Sequence, residues 1–246
     1  MASDGTPFPK LLESRGIIPG IKVDTGAKPL ALTDGETITE GLDGLRDRLE
    51  EYRELGARFA KWRATYSIAA DKPSEYCVWT NAHALARYAA LCQEVGLVPI
   101  VEPEVLQDGT HTIAESRKAT GRVLQAVYTE LHDQRLDFRG TLLKPNMVLS
   151  GYDASDRASA DEVADVTLEC FYKHVPAAVP GIVFLSGGQS DEDATTNLNA
   201  MNARGHIRGS SRSPTAAPCR RRRSRRGAAG RRTSRPRSAP TTIGPR

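Results

Sequence analysis

The sequence has no apolar stretch approaching the roughly 18–20 residues that a helix needs to cross a lipid bilayer. Residues 1–5 contain neither the basic region nor the apolar region of a secretory signal peptide. Its cysteines are few and widely spaced, without a Cys-x-x-Cys pair: Cys77, Cys92, Cys170 and Cys219. We therefore expect a cytoplasmic protein, and the cysteine pattern predicts neither disulfide bonds nor a metal site.

Acidic residues are missing from the last 41 residues, 206–246, which contain 13 of the 34 basic residues, all of them arginine. The remaining 205 residues carry a net charge of −9. A segment with a charge of +13 and few apolar side chains cannot form a core, so we expect residues 206–246 to be disordered. Such a tail would bind RNA, DNA or another polyanion non-specifically, and a polyanion-binding protein is one hypothesis for the function. The absence of aromatic residues for base stacking in this tail disfavours that hypothesis.

Short apolar runs alternate with segments of helical periodicity along residues 1–205, which is typical of repeated βα units around a parallel sheet. The runs predict five strands, over residues 16–24, 59–63, 97–104, 140–146 and 181–188. Their carboxyl ends recur every 39 to 41 residues. This regular spacing predicts an α/β fold, a TIM (β/α)8 barrel of which about five of the eight units are present.

Helical periodicity predicts four helices between and after these strands, over residues 42–55, 81–95, 114–132 and 191–201. Another helix is predicted to begin at Ser159, where Glu162 completes a capping box.

Each predicted strand ends in polar side chains. Residues two apart on a strand share a face, and a barrel of this type carries its chemistry at the carboxyl ends of its strands. We therefore expect these side chains to meet at the mouth of the barrel: Lys22 with Asp24, Lys61 with Arg63, Glu102 with Glu104, Lys144 with Asn146, and Ser186.

Lys144 is the first candidate for a catalytic residue. It follows an apolar run and precedes Pro145, so we expect its amine to lie in apolar surroundings. Such surroundings favour the neutral amine, which is the form that attacks a carbonyl carbon to give an imine. A second cation nearby has the same effect, and Lys61 could supply it. The alternative is a lysine at a strand edge with its ammonium group in solvent.

Imine formation needs a group that transfers protons, and Glu102 is a candidate for this role. Glu104 either contributes to the binding site or only neutralises neighbouring lysines. Ser186, Gly187 and Gly188 follow a predicted strand and precede a helix, so their backbone N–H groups and the hydroxyl could bind a phosphate.

Four of these motifs together resemble those of class I fructose-bisphosphate aldolase, the metal-independent, Schiff-base-forming type. They are Phe-Ala-Lys-Trp-Arg at 59–63, Ile-Val-Glu-Pro-Glu at 100–104, Leu-Leu-Lys-Pro-Asn-Met at 142–147 and Phe-Leu-Ser-Gly-Gly-Gln-Ser at 184–190. The resemblance covers residues 4–202 and implies strands three to seven of the barrel.

The resemblance implies that Lys144 is the Schiff-base lysine and that Glu102 assists imine formation as acid and base. It implies that Lys61 assists proton transfer near the C4 hydroxyl of the substrate. It also implies that the first phosphate of the substrate is bound by Ser186, Gly187 and Gly188. The second phosphate would be bound by Lys22 and Arg63.

The implied reaction is the reversible cleavage of fructose 1,6-bisphosphate to dihydroxyacetone phosphate and glyceraldehyde 3-phosphate, in glycolysis and gluconeogenesis. No cofactor is implied, and members of the family are usually homotetramers, an assembly that we do not assume for this chain. A related alternative is another imine-forming barrel such as a transaldolase, which would share the strand lysine but not the whole set of motifs.

The chain also departs from the family's pattern. The resemblance places two further strands before residue 16, one of them carrying the aspartate that deprotonates the C4 hydroxyl, and they are not found there. We therefore expect cleavage activity to be impaired or absent, as in a non-catalytic aldolase fragment. When the codons of residues 206–229 are begun one base earlier, they permit a sequence like the family's C-terminal region. We interpret the tail as an out-of-frame reading of that region.

Overall fold

The structure is a computed structural model and describes residues 1–205. Within this range the strands are β1 (Gly20–Lys22), β2 (Gly26–Pro29), β3 (Thr37–Glu40), β4 (Phe59–Tyr66), β5 (Val98–Val105) and β6 (Leu142–Leu143). The α-helices are α1 (Phe8–Ser14), α2 (Leu45–Glu54), α3 (Glu75–Glu94), α4 (Ile113–Asp133), α5 (Ala160–His174) and α6 (Asp191–Ala203). The predicted tail, its disorder and its out-of-frame origin lie outside the described residues.

The main sheet has the strand order β1-β4-β5-β6, and every pair in it is parallel. Helices connect β4 to β5 and β5 to β6, so the predicted α/β class with successive βα units is confirmed. The strand predicted over residues 181–188 is reduced to a single parallel bridge between Leu143 and Ile182. It nevertheless lies beside β6, because Val183 donates its backbone N–H to the carbonyl of Leu143 at 2.9 Å.

Alternation along β4 decides what each face of the sheet contacts. Ala60, Trp62, Ala64 and Tyr66 are completely buried, whereas Lys61 is only partly buried and Arg63 is exposed. Helix α3 covers the apolar face: the ring of Tyr88 stacks on that of Trp62 with centroids 5.5 Å apart. The Tyr88 hydroxyl also donates to the backbone carbonyl of Ala60 at 2.8 Å. The charged side chains are therefore left on the opposite face, which is where the candidate site lies.

Helix α3 begins at Glu75, six residues before the predicted start. Its first turn is stabilised by Ser74, whose side chain accepts the backbone N–H of Cys77 at 3.1 Å. At α5, Ser159 accepts the backbone N–H of Glu162 at 3.3 Å, which confirms the predicted helix start and one half of the predicted capping box. The reciprocal pair of a capping box is formed at α4, between Thr112 and Glu115, where the sequence analysis did not place one.

Sequence periodicity did not predict α1 or the antiparallel hairpin β2-β3. The hairpin packs against the carboxyl end of β4, where Thr39 donates its hydroxyl to the carbonyl of Arg63 at 2.7 Å. It therefore supports the strand end that carries Arg63. None of the helices within residues 1–205 is long and apolar enough to span a membrane.

Candidate active site

A network of alternating charges crosses the face of the sheet opposite α3. We call it the charged network; its members are Lys22, Asp24, Lys61, Glu102 and Lys144. Lys22 and Lys61 occupy paired positions on β1 and β4, which places their side chains on the same face. The ammonium groups of both lysines contact the Asp24 carboxylate, at 2.5 Å from Lys22 and 3.9 Å from Lys61. The lysines predicted to meet at the mouth therefore do so through a shared carboxylate.

Glu102 connects the other end of the network. One carboxylate oxygen, Oε2, lies 2.7 Å from Nζ of Lys61, and the other, Oε1, lies 2.8 Å from Nζ of Lys144. The Lys61 contact is an ion pair and lacks the geometry of a hydrogen bond, so Oε2 has no hydrogen-bond donor among residues 1–205. Only 4% of the Glu102 side chain is exposed. A carboxylate this deeply buried needs charged partners, and the two lysines provide them.

Lys144 does not lie in apolar surroundings, so that prediction is wrong. Its side chain is 30% exposed and ion-paired with Glu102. The reason is strand alternation: Leu143 is buried, whereas Lys144 projects to the charged side. The backbone N–H of Lys144 donates to the carbonyl of Val101 at 2.8 Å and fixes its position beside β5.

Arg63 and Glu104 form a second charged pair. The Arg63 guanidinium donates through Nε to the Glu104 carboxylate. This hydrogen bond raises the pKa of Arg63 and so favours its charged form. The Glu104 side chain is 8% exposed and that of Arg63 is 45% exposed. Glu104 therefore neutralises and orients Arg63, whose guanidinium remains accessible to an anion.

Asp24 is a member of the site that the sequence analysis noted only as a polar strand end. Its side chain is 2% exposed, and it accepts the backbone N–H groups of Gly26 at 3.1 Å and Arg63 at 3.2 Å. Asn146, which was predicted to share the mouth, has a different role. Its amide oxygen accepts the backbone N–H of Val105 at 2.9 Å, and its amide nitrogen donates to Thr120 at 3.3 Å. Asn146 is therefore buried and ties the carboxyl end of β5 to α4.

Residues 186–188, here called the glycine loop, form a tight turn after the Ile182 bridge. The backbone N–H of Gln189 donates to the carbonyl of Ser186 at 3.1 Å and closes the turn. Gly187 and Gly188 have φ angles of +59° and +93°, which side chains with a Cβ rarely adopt. Helix α6 follows directly, but its first turn contains three carboxylates, at Asp191, Glu192 and Asp193. These carboxylates disfavour an anion at the end of the helix, so the glycine loop itself is the candidate anion site.

Tyr152 lies beside the glycine loop, and the sequence analysis did not select it. It lies 35 residues before Gly187, and its hydroxyl donates to the Gly187 carbonyl. No motif in the sequence indicates this contact, because it depends on how two loops pack.

An open cleft of about 510 Å³ brings most of the predicted site residues together. Its lining includes Arg63, Glu104, Lys144, Ser186, Gly187 and Gly188. The remaining three predicted residues, Lys22, Lys61 and Glu102, adjoin it through the charged network. The geometry thus combines an amine, a carboxylate in contact with it and a glycine turn suited to an anion. The class of protein defined by this fold and site is a βα-barrel protein with a lysine-centred site at the carboxyl ends of its strands.

Comparison with known proteins gives the family. A family model described as "Fructose-bisphosphate aldolase class-I" matches residues 1–210. The chain is 58% identical over 198 residues to a probable fructose-bisphosphate aldolase class 1 of Xylella fastidiosa, covering 80% of this chain and 59% of that protein. It is 56% identical over 201 residues to the cytosolic fructose-bisphosphate aldolase 6 of Arabidopsis thaliana, and the match covers 82% of this chain and 56% of that protein.

A solved structure of fructose-bisphosphate aldolase from Plasmodium falciparum, in complex with TRAP and a small-molecule inhibitor, superposes with a TM-score of 0.82. Sequence identity is 45%, and the match covers 84% of this chain and 60% of that one. This chain therefore belongs to the class I fructose-bisphosphate aldolase family, and the predicted partial TIM barrel is confirmed. The chain spans less than two thirds of the length of these relatives.

Proposed function

We propose that this chain forms a Schiff base with a ketose phosphate at Lys144, as a step of fructose 1,6-bisphosphate cleavage. The observation that carries the proposal is the position of the Lys144 amine: 2.8 Å from the Glu102 carboxylate and on the lining of a cleft that also contains the glycine loop. A lysine that attacks a carbonyl needs an adjacent proton carrier, and Glu102 is in contact with its nitrogen.

The reaction then follows from these contacts. The neutral Lys144 amine attacks the C2 carbonyl carbon of the substrate and gives a carbinolamine. Glu102 moves one proton from the nitrogen to the C2 oxygen as the carbinolamine forms. It then delivers a second proton, taken up from solvent, to the C2 hydroxyl. That group leaves as water, the C2–nitrogen double bond forms, and the nitrogen keeps its remaining hydrogen, so the imine is protonated. The protonated imine accepts the electron pair of the C3–C4 bond as that bond breaks, while the C4 hydroxyl gives its proton to solvent water and becomes the aldehyde group. The product on the enzyme is an enamine of dihydroxyacetone phosphate, and glyceraldehyde 3-phosphate is released.

Lys61 contributes through Glu102. Its ammonium group lies 2.7 Å from the carboxylate oxygen that does not face Lys144, so it stabilises the ionised form of Glu102 between proton transfers. Its other contact, with Asp24 at 3.9 Å, holds it beside β1. We propose that Lys61 is the cation nearest the substrate's C4 hydroxyl.

Two cationic side chains are available for the substrate's second phosphate. Lys22 is 52% exposed and Arg63 is 45% exposed, although each is also paired with a carboxylate. The glycine loop would bind the first phosphate through its backbone N–H groups. By analogy with the relatives named as cytosolic, we propose a cytoplasmic location and a role in glycolysis or gluconeogenesis.

Trapping of the imine tests this proposal. The full 246-residue chain is incubated with dihydroxyacetone phosphate and sodium borohydride, and the reduced adduct is located by peptide mass spectrometry. We expect the adduct on Lys144 and its loss in Lys144→Met. Lys118→Met is the matched control, because Lys118 is exposed on α4. An adduct on another lysine with Lys144 unmodified would contradict the proposal.

Cleavage of fructose 1,6-bisphosphate is assayed separately in the same samples. Imine formation and carbon–carbon cleavage are distinct steps, so an impaired second step does not prevent trapping at the first. A chain that is trapped at Lys144 but does not cleave would be a fragment with an intact imine site.

A further inference from the structure

The segment after β6 brings Tyr152 against the glycine loop. Three backbone hydrogen bonds fix this segment to the loop that follows β5. Gly151 donates to His111 at 2.8 Å, Tyr152 to Gln107 at 2.9 Å and Asp153 to Gly109 at 3.0 Å. The backbone of Tyr152 is thus held from one side, while its hydroxyl donates to the Gly187 carbonyl on the other.

This hydrogen bond determines how the next peptide group is oriented. In a trans peptide the carbonyl of one residue and the N–H of the following residue point in opposite directions. The peptide bond between Gly187 and Gly188 is trans, since Lys72–Pro73 is the cis bond found within residues 1–205. Gly187 and Gly188 line the cleft, whereas Tyr152 is not among its lining residues. A carbonyl turned toward Tyr152 therefore leaves the N–H of Gly188 turned away from Tyr152, which is the side on which the proposal below places the phosphate.

The fit between Tyr152 and the loop is close. A Cβ added to Gly188 would lie 3.1 Å from the Tyr152 hydroxyl oxygen. The ring itself is packed beneath Arg157, whose guanidinium carbon lies 5.7 Å from the ring centroid. Burial raises the pKa of Tyr152, so its hydroxyl remains protonated and available as a donor.

Without this donor the carbonyl would be free to turn into the cleft. A carbonyl oxygen that faces a phosphate repels it, whereas an N–H group binds it. We propose that Tyr152 is a positioning residue that directs the Gly188 N–H toward the substrate's phosphate and so sets the preference for phosphorylated over unphosphorylated ketones. This inference rests on the proposed function, because it assigns the first phosphate to the glycine loop.

Tyr152→Phe removes the hydroxyl and keeps the ring, so it tests the hydrogen bond alone. The imine at Lys144 is trapped with borohydride at increasing concentrations of dihydroxyacetone phosphate and, separately, of dihydroxyacetone, which has no phosphate. We expect the half-saturating concentration of dihydroxyacetone phosphate to rise about twofold to tenfold, the effect of one neutral hydrogen bond. The half-saturating concentration of dihydroxyacetone and the maximal trapping rate are expected to stay unchanged.

Tyr76→Phe is the matched control, since Tyr76 is an exposed tyrosine on α3, and it is expected to change neither value. An equal change for both ketones in Tyr152→Phe would mean a general effect on the site and would overturn the inference. No change for either ketone would overturn it as well.

A second measurement separates this inference from the proposed function. The affinity for inorganic phosphate is measured by titration calorimetry for the unaltered chain and for Tyr152→Phe. If the unaltered chain forms no imine at Lys144 but Tyr152→Phe binds phosphate more weakly, the proposed function fails and the positioning role stands. If imine trapping succeeds and both chains bind phosphate equally, the positioning role fails alone.

Discussion

The charged network and the glycine loop adjoin the same cleft, but different kinds of structure support them. The two central members of the network, Lys61 and Glu102, lie on β4 and β5, which pair with each other over eight residues and are covered by α3. The loop follows a single bridge at Ile182, and its orientation depends on Tyr152 from another loop. Strand pairing brings Lys61 and Glu102 into contact, whereas in our proposal the direction of the Gly188 N–H depends on a contact between loops distant in sequence.

Among the members of the network, Glu102 contacts both Lys61 and Lys144, so its substitution should have the largest effect on the rate of imine trapping. We expect Glu102→Gln to lower the rate of imine trapping about 10²–10⁴-fold, because the amide cannot carry the proton. The rate is measured by rapid quenching into borohydride. Glu50→Gln, at an exposed position on α2, is the control and should have no effect. A rate for Glu102→Gln within threefold of the unaltered chain would mean that the proton is carried by another group.

The packing of α3 on the sheet that carries the network depends most on Trp62, which is completely buried between β4 and α3. We expect Trp62→Ala to reduce the free energy of unfolding by about 3–5 kcal/mol, the usual cost of truncating a buried aromatic ring. Equilibrium urea denaturation followed by circular dichroism measures this loss. The total free energy of unfolding of a protein is commonly about 5–15 kcal/mol, so a loss of this size can prevent folding. Trp62→Phe, for which the expected loss is smaller, is therefore the second variant.

Trp79→Ala is the control for this prediction, because the Trp79 side chain on α3 is 58% exposed. Its expected effect is about 0.5 kcal/mol or less, as for most surface substitutions. Equal losses for the two tryptophans would show that the sheet does not depend on its apolar face.

In the loop after β5, which holds the Tyr152 segment, we predict a smaller and pH-dependent contribution of His111 to the free energy of unfolding. Its side chain is buried, and neither ring nitrogen has a hydrogen-bond partner in the part of the chain that the structure describes. Burial lowers the pKa of His111, although Glu115 and Asp108 oppose this shift. The unfolded chain therefore binds a proton at higher pH than the folded chain does. The stability that His111 contributes is complete above about pH 6.5 and decreases as the pH falls toward its lowered folded-state pKa.

We expect His111→Leu to show a smaller loss of stability between pH 7.5 and 5.5 than the unaltered chain. Burial also lowers the pKa of His174, so part of the pH dependence should remain. His132→Leu is the control, because the His132 side chain is 80% exposed. Urea midpoints at a series of pH values provide the measurement. A pH dependence that is the same in His111→Leu as in the unaltered chain would contradict the assignment.

Sequence alternation was sufficient to predict which charges meet. Lys61 and Glu102 were assigned to one site because parallel strands bring their carboxyl ends together, and the structure places them in contact. The apolar environment predicted for Lys144 was wrong because neighbours in a strand project to opposite faces. The strand predicted through residue 146 ends at Leu143, and Pro145 has no N–H with which to continue the ladder.

The loop contacts could not be predicted in the same way. Tyr152 reaches Gly187 only because its own segment is bonded to residues 107–111, and no periodic pattern records a pairing between two irregular segments. Glycine spacing indicated a turn at residues 186–188, but not the direction of its N–H groups.

The central claim is that Lys144 bonds to the carbonyl carbon of the substrate whose first phosphate is bound by the glycine loop. A crystal structure of the full chain after reduction with borohydride and dihydroxyacetone phosphate tests it most directly. We predict continuous density from Nζ of Lys144 to the substrate, with a phosphate oxygen within hydrogen-bond distance of the Gly188 N–H. Density on a different lysine, or a phosphate bound away from residues 186–188, would contradict the claim.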